Sequence, residues 1–113
     1  MKSKNVFFIS LLIVGMLLAS CSSAGTEEDL PYAFFISHQT NAFTNELTAS
    51  VEAKADELGV EVNVYDGEKD VAKQVSQIET AVTQGIAGIV IEPVSVDGVV
   101  PALAAAKEAG IPV

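Results

Sequence analysis

The chain has 113 residues, enough to bury the core of one modest α/β unit and not of two lobes. Fifteen acidic residues stand against six lysines with no arginine, and the net charge of −9 excludes a nucleic-acid-binding face. One cysteine excludes an intramolecular disulfide, and one histidine beside it leaves no metal constellation.

Lys2 and Lys4 open the chain, and an apolar run from Val6 to Ala19 follows, broken only by Ser10 and Gly15. The run is shorter than the roughly 20 residues that span a bilayer. A basic start, a short apolar core and small residues after it predict a secretory signal peptide over residues 1–20. Leu18-Ala19-Ser20-Cys21 then resembles the lipobox of bacterial lipoproteins. That resemblance implies cleavage before Cys21 and a diacylglyceryl thioether on it. Two acyl chains anchor stably where one is marginal. Losing Lys2 and Lys4 with the leader takes the net charge from −9 to −11. Residues 21–31 are small, polar and acidic, and read as the lipid anchor and a flexible tether closed by Pro31. An acidic surface suits an extracytoplasmic domain.

The folded part is expected over residues 32–113. Tyr32 to Ser37 reads as a first strand, and His38 to Asn41 as a polar loop. Phe43, Leu47, Val51, Ala55 and Leu58 then recur at helical spacing, with Asn41 as N-cap and Gly59 as stop. Val60, Val62 and Val64 alternate with polar residues, the pattern of a half-exposed edge strand. Asp66-Gly67 turns the chain. Val71, Val75, Ile78 and Val82 give a second helical stripe, ended by Gly85. Ile86 to Ile91 is short, apolar and β-branched, and predicts a strand buried on both faces of a parallel sheet. A third helix is expected from about Asp97 to Ala109, with Val99, Val100, Leu103 and Ala106 inward and Pro101 near its start. Ile111-Pro112-Val113 begins another strand.

Gly59-Val60, Gly85-Ile86 and Gly110-Ile111 each join a helix stop to a strand start, so a β-α unit repeats. Four strands and three helices predict an α/β fold, an open parallel sheet wound with helices on both faces. Val113 lies just inside a strand, and the chain reads as the front part of a longer protein, a truncated lobe.

In such a sheet ligands bind beyond the carboxyl ends of the strands. Three loops lie there, over residues 37–42, 66–70 and 92–96. No Gly-x-Gly-x-x-Gly or phosphate loop follows any strand, so no cofactor is expected. Ser37-His38 is the only nucleophile beside a base. Adjacent residues on a strand point opposite ways, so no catalytic pair is expected from it. His38 could hydrogen-bond a ligand or simply meet solvent. Glu92 could accept from a ligand hydroxyl or serve as a solvated cap. From the residues alone, Asn41 and Phe43 read as a helix cap and a core residue.

Ile36-Ser37-His38-Gln39-Thr40-Asn41-Ala42-Phe43, Ala55-Asp56-Glu57-Leu58-Gly59-Val60, Gly88-Ile89-Val90-Ile91-Glu92-Pro93 and Ala106 to Val113 resemble the ribose-type periplasmic sugar-binding proteins, in order and spacing, over residues 32–113. The resemblance implies the amino-terminal lobe, incomplete, of a type I periplasmic binding protein. Such proteins have two α/β lobes that close on a small ligand and hand it to the membrane subunits of an ABC importer. It implies a ligand-binding role for Asn41 and Phe43, which match an Asn and an aromatic that contact the sugar; His38 and Glu92 join them as candidates. An amide gives and takes hydrogen bonds with hydroxyls, and a ring packs on sugar C–H groups. Ala42 stands where Pro is common, Thr44 where ribose binders often carry a second aromatic, and Glu92 where Asn is frequent, which weakens the case for ribose itself.

The function expected is therefore a monomeric, lipid-anchored solute-binding protein of the cell envelope, taking a small sugar or polyol and not an enzyme. The alternatives are the same fold serving a sensor for a non-sugar signal, or an exported α/β enzyme whose site lies beyond Val113. A sugar-responsive repressor would need a basic helix-turn-helix ahead of Tyr32, where the leader stands instead.

Overall fold

A computed structural model describes residues 29–113; the leader, Cys21 and most of the tether lie outside the described residues. Three strands alternate with three helices: β1 (Tyr32–Ile36), α1 (Ala42–Leu58), β2 (Val62–Asp66), α2 (Val71–Gln84), β3 (Gly88–Ile91) and α3 (Val96–Glu108). The strands are parallel in the order β2-β1-β3, with Phe34 opposite both Val64 and Val90. The predicted wound α/β architecture is the one observed. The predicted fourth strand is not: residues 111–113 form no ladder, although the Pro112 carbonyl accepts from Ile89 N–H at 2.8 Å, laying this segment beside β3.

Local chemistry sets the helix ends. Asn41 sits in extended backbone and its Oδ1 accepts from Thr44 N–H at 2.9 Å, capping α1. Gly59, at φ +68°, closes α1 by donating to the Ala55 and Asp56 carbonyls, in the left-handed region where a Cβ is costly. Asp70 and Ser95 cap α2 and α3 in the same manner as Asn41.

Side chains alternate across the sheet. Ala33, Phe35 and Ile89 point to one face and form the core with Ile78 and Ala81 of α2 and Val99, Ala102 and Ala106 of α3. The Phe35 ring stacks on Tyr65 with centroids 4.9 Å apart. The opposite face, with Phe34 buried, meets α1.

Two expectations about burial change. The strand buried on both sides is β1, whereas Val90 of β3 is 47% exposed. The reason is that α1 lies over β1 and β2 and not over β3. That leaves an apolar groove of about 360 Å³ along α1, floored by Tyr32 and Val90, toward the amino ends of the strands. The buried side of α1 is also displaced from the predicted stripe: Thr44, Thr48 and Ala55 are inward, while Phe43 and Leu58 are exposed. On α3, Val100 is likewise exposed, and Ala102 takes its place in the core.

The α2–α3 contact depends on a missing side chain. A Cβ on Gly98 would stand 2.5 Å from Val71 Cγ1, well inside contact distance. Gly98→Ala gains about 1 kcal/mol of helix propensity and overpacks the interface at a cost of about 1–3 kcal/mol. A net loss of about 1 kcal/mol is expected in urea unfolding, with part of it restored in the Gly98→Ala/Val71→Ala double variant. An unchanged or raised midpoint for the single variant would contradict the close approach.

Candidate functional site

The carboxyl ends of the three strands converge on one polar edge. Backbone bonds tie them together: Gly67 N–H donates to the Ile36 carbonyl, Lys69 N–H to the Ser37 carbonyl, and Glu92 N–H to the Phe35 carbonyl, each at 2.8 Å. The 66–70 loop and the start of the 92–96 loop are therefore fastened to the end of β1, from which the 37–42 loop itself continues. Asp66 is the turn residue expected, its carboxylate accepting from Glu68 N–H at 2.8 Å.

Side chains continue the fastening. Glu92 is half-buried, and its Oε2 accepts from Ser37 N–H at 2.9 Å. Its other carboxylate oxygen makes no hydrogen bond among the described residues. Gln74, fully buried on α2, donates from Nε2 to the Glu92 carbonyl at 3.2 Å and accepts from Val94 N–H at 2.8 Å. It thus holds both peptide groups that flank Pro93. Gln77 holds the end of β2 by one bond, donating from Nε2 to the Asp66 carbonyl at 2.9 Å, while its buried Oε1 has no partner among the described residues.

His38 leaves the end of β1 between two polar neighbours. Its Nδ1 is 2.8 Å from Ser37 Oγ, and its Nε2 is 3.0 Å from Asn41 Nδ2. The expectation that Ser37 and His38 point apart is overturned. β1 ends at Ile36, so the alternation of a strand no longer governs this pair. Asn41 holds Thr44 through its Oδ1, which accepts from both the backbone N–H and the Thr44 hydroxyl, at 2.9 and 3.2 Å. Thr44 is consequently buried and presents nothing outward.

Phe43 lies on the first turn of α1, two residues after Asn41, and is 70% exposed. The core reading of this residue fails, and an aromatic face stands free at the end of the helix that faces the polar edge. Of the four predicted ligand-binding residues, Glu92, His38 and Asn41 are joined through Ser37 into one hydrogen-bonded series, and Phe43 follows directly on it. The site combines an uncommitted carboxylate oxygen, an amide and an exposed ring. That set can take hydroxyls and C–H faces. Two lysines stand near this edge: Lys73 is paired with Glu68 at 2.8 Å, and Lys69, within the 66–70 loop, is exposed and makes no ion pair among the described residues. Among the described residues no cluster of acidic, histidine or cysteine side chains could hold a metal, and no helix is long and apolar enough to cross a membrane.

Gln74 escaped the sequence reading. The signal was present: Gln74, Ile78 and Ala81 share one helical face, so a polar residue falls on an otherwise apolar stripe. A polar side chain there needs a buried partner, and the backbone beside Pro93 supplies two.

Comparison with known proteins gives concordant results. The periplasmic binding protein domain matches residues 32–113. The ribose import binding protein RbsB of Haemophilus influenzae is 34% identical over 96 residues, covering 85% of this chain and 32% of that protein. A solved ABC transporter solute binding protein from Mycobacterium smegmatis with bound glycerol superposes with a TM-score of 0.68 at 38% identity, covering 73% of this chain and 28% of that one. LsrB from Clostridium saccharobutylicum in complex with AI-2 superposes with a TM-score of 0.67 at 31% identity, over 73% of this chain and 26% of that one. The chain spans about a third of the length of the curated relatives it matches.

Proposed function

This chain belongs to the periplasmic binding protein domain family, and from that premise we propose that the whole protein captures a small sugar or polyol outside the cytoplasm and delivers it to an ABC importer. The observation that carries the reading is the meeting of Asn41, exposed Phe43 and the half-free Glu92 carboxylate at one end of the sheet. A neutral, hydroxyl-rich ligand satisfies such a set. The amide and carboxylate bond hydroxyl groups, and the ring covers the C–H surface between them. Solute-binding relatives support a role in binding and not in catalysis.

The lipobox-like Leu18-Ala19-Ser20-Cys21 supports a lipid anchor at Cys21 on the extracytoplasmic face of the membrane, with residues 22–31 as tether to a monomeric binding domain. Ribose itself is disfavoured. Thr44 stands where ribose binders often carry a second aromatic, and it is spent on the helix cap. A second reading, a non-sugar signal bound at the same site, draws on the relative solved with AI-2.

Phe43→Ala separates binding from folding. The ring is 70% exposed, so unfolding free energy is expected to change by no more than about 0.5 kcal/mol. Affinity for the cognate sugar or polyol is expected to fall about tenfold or more, as a lost aromatic contact of about 1.5 kcal/mol requires. Calorimetric titration of both forms of the full-length protein checks this. Equal affinities would remove Phe43 from the site.

A further inference from the structure

We propose that His38 is a positioning residue, held as the neutral imidazole with its proton on Nδ1, and that it leaves Asn41 a hydrogen-bond donor only toward the ligand. This rests on the binding site proposed above and specifies what that site asks of its ligand.

The assignment follows from the helix cap. Thr44 N–H must be met by an acceptor, so the Asn41 atom 2.9 Å from it is the oxygen. Turning the amide over would aim an N–H at an N–H and uncap α1. The Asn41 atom 3.0 Å from His38 Nε2 is then the nitrogen, which only donates. His38 Nε2 must therefore be unprotonated. A neutral ring with Nε2 bare carries its proton on Nδ1, and that N–H donates to Ser37 Oγ at 2.8 Å. Glu92 Oε2 accepts from Ser37 N–H at 2.9 Å and completes the series. From Thr44 to Ser37 Oγ each donor and acceptor is fixed by its neighbour.

Two consequences bear on the ligand. Asn41 Oδ1 accepts from the Thr44 N–H at 2.9 Å and shares the one Thr44 hydroxyl hydrogen, at 3.2 Å, with the Asn41 carbonyl at 3.3 Å, so the amide oxygen is turned into the helix cap. Nδ2 gives one hydrogen to His38, and one remains. Asn41 thus calls for an acceptor on the ligand, a ring oxygen or a hydroxyl oxygen. The unbonded oxygen of Glu92 calls for a donor. A polyhydroxylated molecule offers both. The second consequence concerns Ser37. Its hydroxyl receives the His38 proton contact, so the ring cannot act through Nδ1 as a base on it, and the pair is no hydrolytic dyad.

The test is a histidine-selective 15N correlation spectrum of the ligand-free full-length protein, with the His38 signals assigned by their loss in His38→Gln. The expected result is a protonated-type Nδ1 and an unprotonated-type Nε2. A proton on Nε2, or two averaged nitrogens, would overturn the proposal. Binding supplies the second readout, with D-ribose and xylitol as probes. His38→Leu, which cannot accept from Asn41, is expected to weaken affinity about fivefold. His38→Gln, whose amide oxygen can accept, is expected to restore most of it. Equal affinities for the Leu and Gln variants would also overturn the proposal. If neither probe binds, the two variants are compared on whichever of L-arabinose, D-galactose, glycerol and AI-2 stabilises the protein; binding of none of these would sink the sugar-binding reading, while the spectrum still decides the tautomer.

Discussion

Gln74→Ala is expected to lower the unfolding free energy of the full-length protein by about 2–4 kcal/mol, from a lost buried side chain and two orphaned peptide groups. Gln74 is fully buried, and both of its polar atoms are engaged by the chain around Pro93. Gln74→Met keeps the volume and removes the hydrogen bonds. It isolates the polar part of the cost, expected at about 1–3 kcal/mol for leaving Val94 N–H and the Glu92 carbonyl unmet. Both variants are expected to loosen the Glu92 loop and to speed amide exchange at Val94 beyond any global change. A Met variant as stable as the parent, with unchanged exchange at Val94, would show that the clamp contributes nothing. The consequence for binding is indirect: the carboxylate of Glu92 is aimed by a backbone that Gln74 holds.

Phe35→Ala is expected to cost about 3–5 kcal/mol, the usual range for emptying a fully buried phenylalanine site. The ring lies at the centre of the strongest core, on the central strand, stacked on Tyr65. Total stabilities of domains run to about 5–15 kcal/mol, so the variant is expected to sit near the folding threshold. Phe35→Leu, which leaves a smaller void, is expected to recover more than half of the loss. Urea midpoints for the three proteins check the ordering. Phe34→Ala on the opposite face is a useful companion, because that ring is buried under α1 instead.

The architecture was legible because two periodicities and three glycines punctuate the sequence. Alternation in Val60, Val62 and Val64 placed β2 at an edge, and the Gly59, Gly85 and Gly110 stops fixed the β-α unit. Burial was less legible. Val90 reads as core because it is β-branched in an apolar run, yet its exposure depends on which helix lies above it. That is a fact of three-dimensional placement and not of pattern. Phe43 misled for the same reason: an aromatic at the start of an apolar stripe reads as core, and only the rotation of α1 shows the ring to be free.

The candidate site was partly legible. Its location followed from the general rule for open α/β sheets, and Asn41 was visible as a cap. What the sequence hid was connection. The bond from Ser37 Oγ to His38 requires that β1 stop at Ile36, and the bond from Glu92 to Ser37 spans 55 positions. Neither has a local signal. Gln74 did leave one, a polar residue on the buried face of α2, and a polar intrusion of that kind is a mark to seek in similar helices.

The claim that a small polyhydroxylated ligand is held at the carboxyl edge is tested most directly by thermal unfolding of the full-length protein against D-ribose, L-arabinose, D-galactose, xylitol, glycerol and AI-2. A ligand that binds the folded state alone stabilises it by about 2.7 kcal/mol at a hundredfold excess over its dissociation constant. The account predicts that at least one of these raises the melting temperature, and that Asn41→Ala and Phe43→Ala each cut the shift to about half or less at that excess. No shift with any of the six, or a shift left unchanged by both substitutions, would contradict it.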